Sequence, residues 1–380
     1  MSVDHGDHRG CSTGRRRRDI DGFRVMAGTF TAACYYQYML RIAPAIALMS
    51  ALLCPPAIAQ GSTAPIRDGG PYSTSASDVQ LNTLRAMLRQ PEAAMDLARV
   101  KLTIDHMIDP TVDIEGLLAQ LDGMAREIRK LYPANASKQV AVETLRAYLH
   151  GPDPQHPRPF QYDLDDPQGT KVTNKLLTTY LRTKRGNCVS MPILFVILGQ
   201  KLGIDVTLAR GPQHLFVKYR DEQGRLFNLE TTSGGFPRLD SSYQRDTPMT
   251  TQSLTNGVYM RPLSQRESAA AMAETLRQHF FERGQVPRGI AVASAMLEIS
   301  PDDAETMVSV SYGYWRLEQK NFQAKYPNPD SIPHELRPYL RDLQEKQALW
   351  RSKAEALGWR EPEQAQEEQY KEIVKKARNS

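Results

Sequence analysis

Apolar positions in the first half of the chain recur at helical spacing. Val79, Leu81, Leu84, Met87 and Leu88 follow a Ser77-Asp78 cap and stop before Pro91. Pro91 then opens an amphipathic segment through Leu97, Val100, Leu102 and Ile104. Asp113 to Leu131 and Ser137 to Leu149 repeat the pattern, so residues 77–149 are predicted as a helical region. Residues 150–169 carry five prolines and little periodicity and read as a long connection. Thr170 to Arg182 is predicted as one more helix. Val189 to Leu202 is apolar almost all round, the pattern of a helix buried on every side, with Pro192 in the first turn where it is tolerated.

The period then changes from helical to alternating. Ile204 to Ala209, His214 to Arg220 and Arg225 to Glu230 read as strands, the last two joined by a turn at Asp221-Glu222-Gln223-Gly224. A loop rich in Gly, Ser, Pro and Asp follows from Thr232 to Asp246. Ser264 to Phe281 and Arg288 to Ile299 return to helix. Helices before and after a small antiparallel sheet make an α+β fold, with a core over 150–262, a helical C-terminal region over 263–359 and a charged tail over 360–380.

Residues 39–59 change the reading of the N-terminus. Arg41 is a short positive stretch, Ile42 to Leu53 an apolar run, and Ala57-Ile58-Ala59 a small-x-small cleavage site. This is the pattern of a secretory signal peptide within a leader at 1–59, followed by a flexible lead-in at 60–76. The protein is therefore expected to be periplasmic or secreted. The alternative is an inner-membrane anchor at 42–59, although Pro55-Pro56 breaks that run. Cleavage would remove Cys11, Cys34 and Cys54 and leave Cys188 as the one cysteine, which excludes an internal disulfide.

Composition excludes several classes. Mean hydropathy is −0.49, which rules out a polytopic membrane protein. The net charge is +5, but the first 59 residues hold seven Arg and four acidic residues, so the body is nearly balanced and gives no reason to invoke nucleic acid. His150 and His156 lack partners at zinc spacing, and Asp163, Asp165 and Asp166 lack the rest of a calcium loop. No metal or other cofactor is expected.

The chemistry concentrates at Cys188. It follows Gly186-Asn187 and opens the buried helix, where exposed amides and the positive dipole end favour a thiolate. Asn187 is a plausible cap. If the later hairpin turns about Glu222, His214 faces Glu230 across the strands. If its loop differs by one residue, Thr231 faces His214 instead. A carboxylate there would orient the imidazole and stabilise its protonated form. A thiol, a histidine and an orienting acid are what thiol catalysis needs, giving Cys188, His214 and Glu230 as candidate catalytic residues and Asn187 and Gln213 as candidate oxyanion donors.

Gly186-Asn187-Cys188-Val189-Ser190-Met191-Pro192, Leu202-Gly203-Ile204, His214-Leu215-Phe216-Val217 and Asn228 to Gly235 resemble the compact bacterial transglutaminase-like core family. The resemblance spans about residues 110–245. It implies a papain-like α+β fold, with the thiol on a helix packed against an antiparallel sheet and a Cys-His-acid triad at Cys188, His214 and Glu230. Glu230 stands where that superfamily often has Asp. The resemblance also implies tetratricopeptide-like helices after the core, and Ala293 to Ala304 is similar to the junction of two such repeats. A plain helical hairpin bracing the core accounts for the same residues. Acyl transfer to water or to an amine from a protein or peptide substrate is the implied activity. The rival is a non-catalytic scaffold whose C-terminal helices bind a protein partner.

Overall fold

The computed structural model describes residues 78–151, 159–167, 169–247 and 249–361. The predicted leader with its signal peptide, the lead-in at 60–76 and nearly all of the charged tail lie outside the described residues. Among the described residues, no helix is long and apolar enough to cross a membrane.

The architecture is α+β. Four N-terminal helices, α1 (Val79–Leu88), α2 (Leu97–Ile108), α3 (Ile114–Lys130) and α4 (Lys138–His150), begin at Asp78, Asp96, Asp113 and Ser137. Each of those side chains accepts a hydrogen bond from a first-turn amide that would otherwise lack a partner. Pro91 does not open α2. It precedes a 3-10 turn at Glu92–Ala94, and the helix waits for the Asp96 cap.

The segment predicted as one helix over Thr170 to Arg182 divides into a 3-10 turn at Val172–Lys175 and α5 (Leu177–Thr183). The reason lies in α2. Lys101 and Asp105 are completely buried and 2.7 Å apart. Asp105 accepts the Leu177 amide at 2.7 Å, and Lys101 donates to the Lys175 carbonyl at 3.0 Å. The Leu177 N–H is thus turned onto α2, leaving Leu176 extended at ψ 136°. Burial pushes the Asp105 carboxyl up, against the opposing pull of Lys101 and of the Leu177 amide.

Strands β1 (Gln161–Tyr162) and β2 (Arg185–Gly186) form a short parallel pair that leads into α6 (Ser190–Leu202). Eleven of the thirteen residues of α6 are buried. Helices α2 to α5 surround it on one side, and the sheet strands β3 (Val206–Gly211) and β4 (His214–Arg220) lie on the other. One apolar cluster joins α1 to α4, α6 and the sheet, so the N-terminal helices share the core's interior rather than forming a separate unit. Gly199 marks the closest approach of α6 to the sheet, since a Cβ there would run into Val206. Gly199→Ala is expected to cost roughly 1–2 kcal/mol, overpacking outweighing the better helix propensity. A lower urea midpoint at unchanged slope would register it.

The sheet continues through β5 (Leu226–Glu230) and β6 (Phe236–Arg238), in the order β3-β4-β5-β6 and antiparallel throughout. The β4–β5 register differs from the sequence expectation. The loop centres on Gln223, because the Asp221 amide donates to the Arg225 carbonyl and the Asp221 carboxylate accepts the amides of Gln223 and Arg225. Val217 therefore pairs with Leu229, and extending that register sets Glu230 level with Phe216, two residues along from His214 on the same face of β4.

The stretch expected as loop from Thr232 to Asp246 contains β6 and α7 (Asp240–Asp246). Then come α8 (Thr251–Thr255), α9 (Gln265–Met272), α10 (Glu274–Glu282), α11 (Val286–Leu297), α12 (Ala304–Glu318) and α13 (Arg337–Ala356). Ser264 to Phe281 is thus two helices, parted at Ala273. A second apolar cluster unites α11, α12 and α13.

Candidate active site

The turn that carries Cys188 is built from the backbone outward. Gly186 has no room for a side chain, because a Cβ would meet the Tyr180 ring at 2.5 Å and Met191 at 2.8 Å. Asn187 caps the helix: its side-chain oxygen accepts the amides of Val189 at 3.0 Å and Ser190 at 3.1 Å, and its own amide donates to Ser190 Oγ at 3.1 Å. Cys188 is thereby fixed one residue before Val189, at the entry to α6, and is 5% exposed. Asn187, one of the two candidate oxyanion donors, is fully buried, and its side-chain N–H donates to the Asn174 carbonyl at 3.3 Å.

His214 opens β4 after a two-residue turn, with Gly211 as its β3 partner. Pro212 and Gln213 make that turn. Gln213 has φ +54°, a conformation in which glycine or asparagine is usual, and its N–H donates to Glu305 at 2.6 Å. The imidazole Nε2 is 2.8 Å from Glu230 Oε2. The contact is diagonal across the strands rather than direct, a span long side chains bridge.

Glu230 is held from all sides. Tyr243 OH donates to Oε2 at 2.7 Å, and the amide and hydroxyl of Thr232 donate to Oε1 at 3.1 Å and 2.7 Å. Arg238 adds positive charge at 3.8 Å. Burial pushes this carboxyl up, but the charge and hydrogen bond of His214 and the donors Thr232 and Tyr243 prevail and hold it at about 2. Tyr243 packs nearly flat on Phe216, ring centres 4.4 Å apart, and the Arg238 guanidinium lies over its ring at 4.4 Å. Its hydroxyl proton is held tightly, because burial and the adjacent Glu230 charge both disfavour the phenolate.

A cavity of about 130 Å³ opens at His214. Val189, which follows Cys188, lines it together with His214 and Gln213, and so do Glu305, Thr306 and Ser309 of α12. The cavity thus brings together the neighbourhoods of Cys188 and His214 and keeps Gln213 at its wall, while Glu230 stands behind the imidazole. Sequence reasoning missed Tyr243, Thr232 and Arg238 around Glu230, and Glu305 beneath the turn. Tyr243 lay in an expected loop, and Glu305 is 92 residues from its partner, so no local pattern marks either.

The other sequence candidates have local tasks. Asp166 accepts the amides of Thr170 and Lys171 and the side chain of Asn174, and Asp163 accepts the Asp165 amide. His150 Nδ1 contacts the Phe160 carbonyl at 3.0 Å, and His156 lies outside the described residues. Among the described residues, no group of three or more His, Cys, Asp or Glu side chains has the placement of a metal site.

Residues 115–272 match the family model of the transglutaminase-like superfamily, so the chain carries a transglutaminase-like domain that runs from α3 into α9. No curated protein matches the chain. Among solved structures, a crystal structure of menin described as revealing the binding site for Mixed Lineage Leukemia (MLL) protein is similar at 15% identity and a TM-score of 0.35. That likeness covers 65% of this chain and 66% of that one, just under two thirds of its length, and bears on neither fold nor function.

Proposed function

We propose that the protein is an exported transglutaminase-like cysteine enzyme that cleaves carboxamide or peptide bonds through Cys188, His214 and Glu230. The observation that carries this reading is the His214–Glu230 contact at the wall of a cavity that the Cys188 turn also borders. With Nε2 held by Glu230, Nδ1 is the ring nitrogen left to exchange a proton with the thiol. The thiolate adds to the carbonyl carbon, and the carbon–nitrogen bond breaks as His214 delivers its proton to the departing amine. An acyl-thioester remains on Cys188. Water, deprotonated by His214, then releases the acid. An amine could take the same place, but water is the more abundant acceptor outside the cell, which favours hydrolysis over crosslinking. Gln213 is the candidate side-chain donor to the oxyanion. The signal-peptide pattern at 39–59 supports export.

Alkylation of the full chain by iodoacetamide tests this reading. Glu230→Gln removes the charge that stabilises the imidazolium, and so favours the neutral thiol–imidazole pair over the thiolate–imidazolium pair. Labelling of Cys188 at pH 6.5 is expected to fall roughly tenfold and to recover by pH 9, where the thiol ionises unaided. Equal rates in the parent and Glu230→Gln at both pH values, or labelling only after denaturation, would instead support the scaffold reading.

A further inference from the structure

The β4–β5 ladder begins at Val217, so the backbone of His214 lies beyond it and pairs only with Gly211 of β3. The turn before it therefore sets the backbone from which the imidazole reaches Glu230. That turn holds a non-glycine residue, Gln213, at φ +54°, a conformation that is unfavourable unless its surroundings hold it. The hold comes from the start of α12. Glu305 Oε1 accepts the Gln213 amide at 2.6 Å, and Tyr259 OH reaches the same oxygen at 3.4 Å. Asp303, the cap of α12, pairs with Arg210 on the other arm of the hairpin, and both side chains are nearly buried. The turn is gripped at Arg210 on one side and Gln213 on the other, by two acidic residues on one helix N-terminus.

We propose that Glu305, which lies outside residues 115–272, is a positioning residue for His214, so that the C-terminal helices complete the working site rather than append a separate module. The inference rests on the reading of His214 as the catalytic base. Burial and the neighbouring Asp303 push the Glu305 carboxyl up, to about 7, against the Gln213 amide and Arg210, which favour its charged form.

The test compares two full-length variants. Glu305→Met fills the space without an acceptor, and Glu305→Gln keeps an oxygen for the Gln213 amide. Each is read by iodoacetamide labelling of Cys188 across pH and by the ring N–H resonance of His214, assigned by its loss in His214→Gln. Glu305→Met is expected to slow labelling at pH 6.5 about tenfold and to erase or shift the resonance. Glu305→Gln should stay within about threefold of the parent on labelling and keep the resonance. If the methionine variant does not fold, Glu305→Ala takes its place. A folded Glu305→Met or Glu305→Ala with parental rate and resonance would overturn the proposal, as would a glutamine variant as impaired as the methionine one. A parent whose thiol shows no activation, but whose His214 resonance still depends on Glu305, would sink the catalytic reading and leave the positioning intact.

Discussion

Alkylation of Cys188 at pH 7 is expected to slow about 10–30-fold in His214→Ala. The estimate follows from the state of the sulfur. In the proposed pairing, the imidazole and the entry to α6 both favour the ionised form of the thiol. Without the imidazole it returns toward an ordinary cysteine near pKa 8.5, of which roughly 3% is thiolate at pH 7. The weaker nucleophilicity of the low-pKa thiolate trims the difference. Turnover of a peptide amide should suffer more, about 10²–10⁴-fold, because in the proposed mechanism His214 also protonates the departing amine. Stopped-flow labelling alongside release of aminomethylcoumarin from peptide amides separates the two effects. Equal labelling by parent and His214→Ala would remove the histidine from the chemistry.

The largest stability effect is expected at Lys101 of α2. Lys101→Met strands the Asp105 carboxylate at 0% exposure with only the Leu177 amide for company. Removing one partner of a buried ion pair costs about 3–5 kcal/mol, which for a body of this size lowers the melting temperature by on the order of 10 °C. Pairing it with Asp105→Leu should recover only part of the loss, because the Leu177 N–H then has no acceptor. Scanning calorimetry of the single and double variants measures both. Full recovery in the double variant would mean that the amide contact contributes little.

Much of the core could be read from the chain because its signals are local. The all-round apolar run from Met191 to Leu198 reads as a buried helix, and alternation through His214 to Arg220 reads as a strand. The α+β class follows from those two patterns and agrees with the structure. Register did not follow, because it depends on how the Asp221 carboxylate gathers the amides of Gln223 and Arg225, and not on alternation. The His214–Glu230 contact was expected from a direct cross-strand pairing and arises from a diagonal one. The fourth strand, Phe236-Pro237-Arg238, is too short to show a period and contains a proline, which suits only a sheet edge. Asp105 breaking a helix at Leu177 and Glu305 gripping Gln213 are long-range pairings that no window of sequence displays.

The packing around α6 has a kinetic corollary. Its side chains interlock with helices on one side and strands on the other, so little short of dismantling the interior can displace it. The sulfur at its entry is consequently anchored with that helix. Any widening of the cavity beside His214 is expected from the opposite wall, where a two-residue bend and the tip of α12 meet. Access and alignment would then be governed by the same small hinge.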